Sequence, residues 1–310
     1  MFARLRQIRW EAENVRSFVL EPLAGGVLPP FAAGAHVDVR LAKNLTRSSS
    51  LLNDPAEKDR YELGVLLEPE GRGGSRHVHE RWRAGDEITV SPPINDFRLD
   101  ETAPHSVLIA GGIGVTPILA MIARLEALGR SWELHYVSRT RRRAAFLDRI
   151  AGFGQARAYF DQEPGGEPLD LAAVVGAAPA DAHLYCCGPA GMLDAFERLT
   201  EGRAHETVHI ERFVAAPPPG PVGGFRLRLK RSGRTVQVAP GQTMLAALLD
   251  AGVDVLYACQ TGMCGTCETR VLSGAPDHRG EYLTDAERLS NTTVLVCCSG
   301  SRTEELELDL

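Results

Sequence analysis

Short stretches of alternating hydrophobic and polar residues fill the first third of the chain. They indicate strands at residues 18–20, 36–41, 61–67 and 87–90. Turn-forming pairs such as Gly25-Gly26 and Pro92-Pro93 separate them. Regularly spaced short strands with turns between them are typical of a small antiparallel barrel. The pattern therefore predicts a β-barrel domain over residues 1–102.

The pattern changes in the middle third, where strands alternate with helices. A continuous apolar strand at 106–110 is followed by a glycine-rich turn and by helical spacing over 118–128. Further strands are predicted at 133–137, 156–160 and 183–187, with helices at 143–150 and 192–199. Strands that alternate with helices form a parallel sheet with right-handed crossovers. An α/β domain is therefore predicted over residues 103–213.

A proline-rich and glycine-rich segment at 214–224 reads as a linker. Two strands at 225–229 and 235–238 follow it, with Ser232-Gly233 as the turn of a hairpin. Helical spacing at 244–249 then leads into a loop rich in cysteine. These signals predict a third domain over residues 225–310.

Four cysteines in this last domain have the spacing C-x4-C-x2-C, then 29 residues, then C. That spacing is typical of a plant-type ferredoxin, in which four thiolates hold a 2Fe-2S cluster. Three ligands would come from one loop and the fourth from a distant strand. Structural zinc on the same thiolates is the alternative, but zinc ribbons favour two separate C-x2-C pairs. The predicted ligands are Cys259, Cys264, Cys267 and Cys297.

Two glycines inside the cysteine loop support the same interpretation. Gly262 and Gly265 let the backbone wrap closely and direct N–H groups at the cluster sulfurs. Cys186 and Cys298 each stand next to another candidate cysteine. In a strand, neighbouring side chains point to opposite faces, so core packing is expected of both thiols.

The α/β domain contains two glycine turns at strand ends. The first runs from Gly111 to Pro117, between a strand and a helix, and its N–H groups suit a pyrophosphate. It departs from the G-x-G-x-x-G fingerprint because Pro117 occupies the place of the third glycine. The second turn, Cys187-Gly188-Pro189, ends a later strand. Ligands of doubly wound sheets bind at such carboxyl ends, although a simple strand–helix turn is the alternative.

Three polar segments could contact cofactor phosphates or could simply be solvated. Arg47-Ser-Ser-Ser-Leu51 offers a cation and three hydroxyl groups, and Gly71-Arg-Gly-Gly-Ser75 offers backbone N–H groups and a second cation. The run Arg139-Thr-Arg-Arg-Arg143 follows the second strand of the predicted parallel sheet. A cofactor phosphate can lie at that place.

Composition excludes several classes of protein. The chain has 310 residues and a net charge of -6, which argues against a nucleic-acid partner. No apolar run approaches the ~20 residues of a membrane span, and residues 1–9 lack a signal-peptide core. Seven cysteines that include a cluster motif suggest a reducing compartment. We therefore expect a cytoplasmic protein without a membrane partner.

The chain resembles the phthalate dioxygenase reductase family, which includes vanillate demethylase reductases. The resemblance covers essentially all of the chain. It is most specific at the first glycine turn, at Tyr185-Cys-Cys-Gly-Pro189 and at the cysteine loop with Cys297. It implies a multidomain fold with a flavin-binding antiparallel β-barrel, a ferredoxin reductase-like nicotinamide domain and an α+β β-grasp ferredoxin domain.

The resemblance also implies site residues. The family's flavin motif Arg-x-Tyr-Ser-Leu falls on Arg47, Ser48, Ser49, Ser50 and Leu51, with Ser49 in place of the tyrosine. The residues that match the phosphate loop are Gly73, Gly74 and Ser75. Those assigned to the nicotinamide nucleotide are Gly111, Gly112, Gly114, Thr116, Cys187, Gly188 and Pro189. Among these, Ser50, Thr116 and Cys187 are expected at the reacting rings, together with Phe213, which would cover the flavin.

The resemblance implies a reductase that takes hydride from NADH onto FMN and passes single electrons through a 2Fe-2S cluster. Its partner would be a terminal oxygenase of the Rieske type. The same electron chain could instead serve a haem monooxygenase. A different class of function, a cluster-only electron carrier or redox sensor, is the third alternative. NADH is expected rather than NADPH, although the arginine run at 139–143 could accept the extra phosphate of NADPH.

Overall fold

The computed structural model describes residues 1–23, 25–42, 45–69, 71, 73–213, 224–257, 260, 262, 265–280 and 282–310. The chain divides into two compact units. The first comprises Met1–Leu41 and Ser48–Phe213, and the second comprises Val214–Leu310 with the short segment Ala42–Arg47. Except for Gly224, the predicted linker at 214–224 lies outside the described residues.

The first unit begins with a six-stranded antiparallel sheet in the order β4-β3-β6-β1-β2-β5. A bridge between Leu51 and Leu63 joins the two ends of this sheet, so that it closes into the predicted barrel. Buried side chains such as Leu5, Phe18 and Val37 fill its core, and helix α1 follows β5. The elements are β1 Phe2–Ala12, β2 Val15–Pro22, β3 His36–Ala42, β4 Leu45–Ser50, β5 Tyr61–Leu66, α1 Gly74–Arg81 and β6 Glu87–Val90.

The sequence pattern missed three elements of the barrel. Strand β1 has two register shifts, at Leu5/Gln7 and Trp10/Ala12, and these break its alternation of hydrophobic and polar residues. Strand β4 contains three consecutive serines and so lacks a hydrophobic signal. Helix α1 is short and mostly polar, so it gives little hydrophobic signal in the sequence.

The second sheet of this unit is parallel throughout, with strand order β11-β10-β7-β8-β9. Side chains alternate between its two covered faces: Val107 and Ile109 lie in one buried cluster, and Leu108 and Ala110 lie in another. The elements are β7 His105–Gly111, α2 Val115–Leu128, β8 Ser131–Ser138, α3 Leu147–Ile150, β9 Ala156–Phe160, α4 Leu171–Ala177, β10 His183–Cys187, α5 Ala190–Thr200 and β11 Val208–Glu211.

The helix predicted at 143–150 is wrong in part. A 3-10 turn at Arg141–Arg143 and the four-residue helix α3 replace it. Phe146 has a φ of 61°, in the left-handed region, and this residue separates the two segments. No helix in the described part of the chain is long and apolar enough to cross a membrane.

The second unit contains a mixed five-stranded sheet in the order β13-β12-β18-β14-β16 and a two-stranded sheet of β15 and β17. Strands β12 and β13 form the predicted hairpin, and β18 pairs with β12 in parallel. Leu245 and Leu248 of α6 belong to the same buried cluster as Leu227 of β12. The elements are β12 Phe225–Leu229, β13 Thr235–Val238, α6 Met244–Asp250, β14 Glu268–Ser273, β15 Pro276–Asp277, α7 Asp285–Ser290, β16 Thr293–Leu295, β17 Gly300–Ser301 and β18 Glu305–Leu308.

Candidate functional site

The two glycine turns of the parallel sheet meet at its carboxyl edge. Strands β7 and β10 are neighbours, and Cys187 is paired with Ala110 at the last position of β10. A Cβ on Gly114 would lie 2.2 Å from the Cys187 carbonyl oxygen. A Cβ on Gly111 would lie 2.6 Å from Cδ of Pro189. The sequence placed these turns on different strands, and the fold brings them into direct contact.

Thr116, at the start of α2, and Cys187, at the end of β10, are buried residues of these two turns. Thr116 is almost fully buried, and its hydroxyl donates a hydrogen bond to the Ile113 carbonyl at 3.0 Å. Its methyl carbon lies against Gly64 of barrel strand β5, where an added Cβ would approach it to 2.7 Å. Burial raises the pKa of the Cys187 thiol well above its ordinary value. A neutral, buried thiol is suited to packing against a bound ring and poorly suited to nucleophilic attack.

Glu211 was missed by the sequence analysis. It is paired with Cys187 across β10 and β11. Burial, followed by the nearby Asp96 charge, raises the pKa of Glu211 to about 7. In the sequence, Glu211 could have been identified as a candidate only by its position two residues before Phe213. The structure thus adds a carboxyl group that changes charge near neutral pH beside the candidate nicotinamide residues.

The candidate flavin motif lies on strand β4 and the residue after it. Ser48 donates a hydrogen bond to Asp38 of the adjacent strand at 2.6 Å, and Arg47 donates to the Thr46 carbonyl at 2.7 Å. Ser50 is buried and Ser49 is half-buried. Leu51 belongs to the barrel core. The hydrophobic end of the motif is therefore anchored in the barrel core, and its serines range from exposed Ser48 to buried Ser50.

A buried imidazole beside this motif fits a polar cofactor. The Leu51 N–H donates to the Ala35 carbonyl at 2.9 Å, which places His36 next to Ser50 and Leu51. His36 is 8% exposed. Its Nε2 is buried and has no hydrogen-bond partner among the residues that the structure describes. Because buried polar atoms are nearly always satisfied, a flavin at this place could supply the partner.

The candidate phosphate loop precedes helix α1. Gly73 is the N-cap residue, and Gly74 and Ser75 form the first turn. The Ser75 hydroxyl accepts a hydrogen bond from the Glu68 N–H at 3.0 Å, which holds the two ends of the loop together. Free N–H groups at a helix N-terminus suit a phosphate. Arg72, the cation of this loop, lies outside the described residues.

Phe213 stands at the end of the first unit, two residues after β11, and is 38% exposed. Its neighbour Arg212 forms ion pairs with Asp194 at 3.3 Å and Glu197 at 2.6 Å, which fix the backbone to α5. Contact of the Phe213 ring with a flavin remains a prediction.

Two of the four predicted cluster ligands can be placed. Cys267 and Cys297 are both 3% exposed. The neighbouring Cys267 and Cys298 thiols, together with burial, raise the pKa of Cys297. Cys259 and Cys264 lie outside the described residues. The loop and the distant segment therefore converge as a shared cluster requires.

Two described positions of the cysteine segment leave space for glycine only. Gly262 and Gly265 have φ values of 82° and 71°, in the left-handed region. A Cβ on Gly262 would lie 2.6 Å from the Cα of Gly280, and a Cβ on Gly265 would lie 2.1 Å from the Tyr282 ring. Gly262 therefore lies against Gly280, and Gly265 lies against Tyr282, which fits close wrapping around a buried group.

The expectation that the fourth ligand lies on a strand is wrong. Strand β16 ends at Leu295, and Cys297 and Cys298 lie in the following turn. Cys298 therefore does not point away from Cys297, and its Sγ donates to the Arg279 carbonyl at 3.1 Å. Cys186 does behave as expected, because it and Cys187 lie in buried clusters on opposite faces of the parallel sheet.

Comparisons with known proteins agree with these features. Residues 227–301 match the family described as a 2Fe-2S iron-sulfur cluster binding domain, which favours a cluster over zinc. The chain is 52% identical over 307 residues to the phenoxybenzoate dioxygenase subunit beta of Ectopseudomonas oleovorans, covering 99% of this chain and 96% of that protein. The solved phthalate dioxygenase reductase, described as a modular structure for electron transfer from pyridine nucleotides to a 2Fe-2S centre, aligns with a TM-score of 0.78 at 35% identity, covering 100% of this chain and 98% of that one.

A second solved structure is longer than this chain. An intact type IV self-sufficient cytochrome P450 monooxygenase aligns with a TM-score of 0.79 at 35% identity. The alignment covers 100% of this chain and 41% of that protein.

Proposed function

Since this chain belongs to the phthalate dioxygenase reductase-like family, we propose that it is the NADH-dependent reductase component of an oxygenase system, with FMN and one 2Fe-2S cluster. The observation that carries the proposal is the contact between the two glycine turns, with Thr116 against barrel strand β5 in the same unit. In the other unit, Cys267 and Cys297 are both buried.

The need for three redox groups follows from electron counting. Nicotinamide gives up two electrons together, a 2Fe-2S cluster accepts one at a time, and a flavin does both. We assign the flavin to the barrel at 1–102, the nicotinamide to 103–213 and the cluster to 225–310, with 214–224 as the linker. Four cysteines would hold the cluster: Cys259, Cys264, Cys267 and Cys297.

The chain's own groups bind and orient the donor. The N–H groups of the first glycine turn and of the α2 N-terminus bind the pyrophosphate. Thr116 and Cys187 form a dry surface for the nicotinamide, because both are almost fully buried and lie against the joined turns. Excluding water at this place protects hydride transfer from side reactions.

The family resemblance implies FMN, and the N–H groups of Gly73, Gly74 and Ser75 at the N-terminus of α1 suit its terminal phosphate. Ser50 would face the reactive ring nitrogen, and Arg47, Ser48 and Leu51 would line the same strand. Ser49 replaces an aromatic ring that relatives place against the flavin, so less of the ring system would be covered here. Phe213 would cover it from the other side until nicotinamide takes its place.

The electron acceptor is proposed to be a terminal oxygenase of the Rieske type. The relative from E. oleovorans is a dioxygenase subunit by name, which supports an oxygenase partner. A haem monooxygenase is the second candidate, favoured by the P450 monooxygenase whose structure contains a segment similar to this entire chain.

Analysis of the purified protein tests the proposal. We expect FMN to be released on denaturation, two irons with acid-labile sulfide per chain, and NADH oxidation with an artificial electron acceptor. A protein with a cluster but without flavin would instead be an electron carrier or redox sensor. Flavin release with a failure to oxidise NADH would overturn the assignment of the donor.

A further inference from the structure

The arginine run at 139–143 follows β8, which neighbours the strand that carries the first glycine turn. In doubly wound folds an acidic residue near this place bonds the ribose 2′-hydroxyl of NADH, whereas an arginine accommodates the 2′-phosphate of NADPH. Four arginines at this place favour NADPH if the motif is considered alone, whereas the family resemblance implies NADH. The structure, however, brings carboxylates to the run from two other parts of the chain.

The first carboxylate comes from the barrel. Glu13 lies between β1 and β2, and its side chain forms an ion pair with Arg143 at 3.5 Å. The Glu13 backbone N–H also donates to the Arg142 carbonyl at 2.8 Å. The barrel hairpin is thus attached to the arginine run twice, and the ion pair directs the Arg143 guanidinium toward the barrel.

The second carboxylate comes from the loop after β9. Glu163 accepts a hydrogen bond from the Arg141 backbone N–H at 2.5 Å. The Arg139 carbonyl accepts one from the Gln162 N–H at 2.9 Å, which joins the same two loops. The Arg141 guanidinium lies over the Phe160 ring, 4.6 Å from its centroid. Glu163 therefore adds a fixed negative charge at the end of β8.

We propose that Glu163 and Glu13 are specificity-determining residues that make NADH the preferred donor over NADPH. This inference rests on the proposed function as a pyridine nucleotide-dependent reductase. Glu163 repels a 2′-phosphate at the end of β8, and Glu13 keeps Arg143 from binding it. Both residues lie outside the run itself, so the arginine motif alone does not reveal them.

Glu13 and Glu163 are expected to affect the preference for NADH to different extents. Glu13 and Arg143 are both more than 40% exposed, and an exposed ion pair has a small effect. Removing it should change the preference only about twofold. The carboxylate of Glu163 would repel a bound 2′-phosphate directly, and its removal should change the preference about fivefold or more.

Kinetics of the holoprotein with an artificial acceptor test the proposal. Glu163→Gln keeps an oxygen that can accept the Arg141 N–H and removes only the charge. We expect its kcat/KM for NADPH to rise about fivefold or more while that for NADH changes less than about twofold. Adding Glu13→Gln should raise the NADPH value further. Asp161→Asn is the matched control, because it removes one exposed negative charge from the same loop.

The ratio of kcat/KM for NADPH to kcat/KM for NADH separates a change in specificity from misfolding, since misfolding lowers both values. An unchanged ratio in Glu163→Gln, or a change no larger than that in Asp161→Asn, would overturn the proposal. The wild-type protein shows whether the specificity proposal or the proposed function has failed. A wild-type chain that oxidises neither nucleotide contradicts the reductase assignment itself.

Discussion

The backbone carbonyl oxygen of Cys187 lies so close to Gly114 that a Cβ on Gly114 would approach it to 2.2 Å. Gly114 has an ordinary right-handed helical conformation, with φ of -61°, so only this close approach excludes a side chain. Two turns that are separated by some seventy residues of sequence are therefore in contact, with Gly114 against the backbone of Cys187 and Gly188. Their spacing determines the width of the proposed dinucleotide site.

Replacing Gly114 by alanine tests this contact. The added methyl group must separate the two turns, and we expect the rate of flavin reduction by NADH to fall about tenfold or more, since small displacements near reacting groups are costly. Rapid mixing under anaerobic conditions measures this rate. Gly176→Ala is the control, because a Cβ at Gly176 of α4 would meet nothing within 4 Å. Equal rates in the two variants would contradict the role of the contact.

Cys297 and Cys298 can be distinguished as cluster ligands by iron content. The Cys298 thiol already donates to the Arg279 carbonyl, a bond that serine can also make. We therefore expect Cys298→Ser to retain its iron, and Cys297→Ser to lose most of it together with the visible absorption of the cluster. If only Cys298→Ser loses its iron, the fourth ligand is Cys298 and the assignment of Cys297 is wrong.

His36 provides a test of the flavin site. Its buried Nε2 lacks a partner in the part of the chain that the structure describes. If FMN supplies that partner, His36→Phe should weaken FMN binding about tenfold, the effect of losing one buried hydrogen bond. Titration of flavin-free protein with FMN measures the affinity. His36→Gln, which can still offer a polar group, should retain more affinity than His36→Phe, and equal affinity of wild type and His36→Phe would refute the assignment.

Glu211 should make stability fall as the solution becomes more basic. Its pKa is raised from 4.5 to about 7 in the folded chain, with burial as the main cause. Between these two values the folded state retains a proton that the unfolded state has lost, so stability decreases as pH rises through this window. Glu211→Gln removes that decrease, and its Tm relative to wild type should be higher at pH 8 than at pH 5. The exposed Asp181→Asn control should show no such trend.

Local signals predicted the elements that the structure confirms most closely. Local sequence patterns identified the bounds of β9 and β10, and a turn pair identified the β12–β13 hairpin, because these elements depend on residues close together in sequence. Strand β1 was missed because its register shifts are determined by pairing with β2. Glu163 and Glu13 could not be linked to the arginine run for a similar reason. Their positions depend on contacts between loops of different strands, and no local pattern encodes such contacts.

Electron flow from NADH through the flavin to the cluster is tested most directly by rapid mixing with NADH under anaerobic conditions. Flavin and cluster absorbance are followed together in the wild-type protein and in protein from which the flavin has been removed. We expect the flavin signal to change first and the cluster signal second in wild type. In flavin-free protein the cluster should stay oxidised, and adding FMN should restore its reduction. Reduction of the cluster by NADH at an undiminished rate without flavin would contradict this order of transfer.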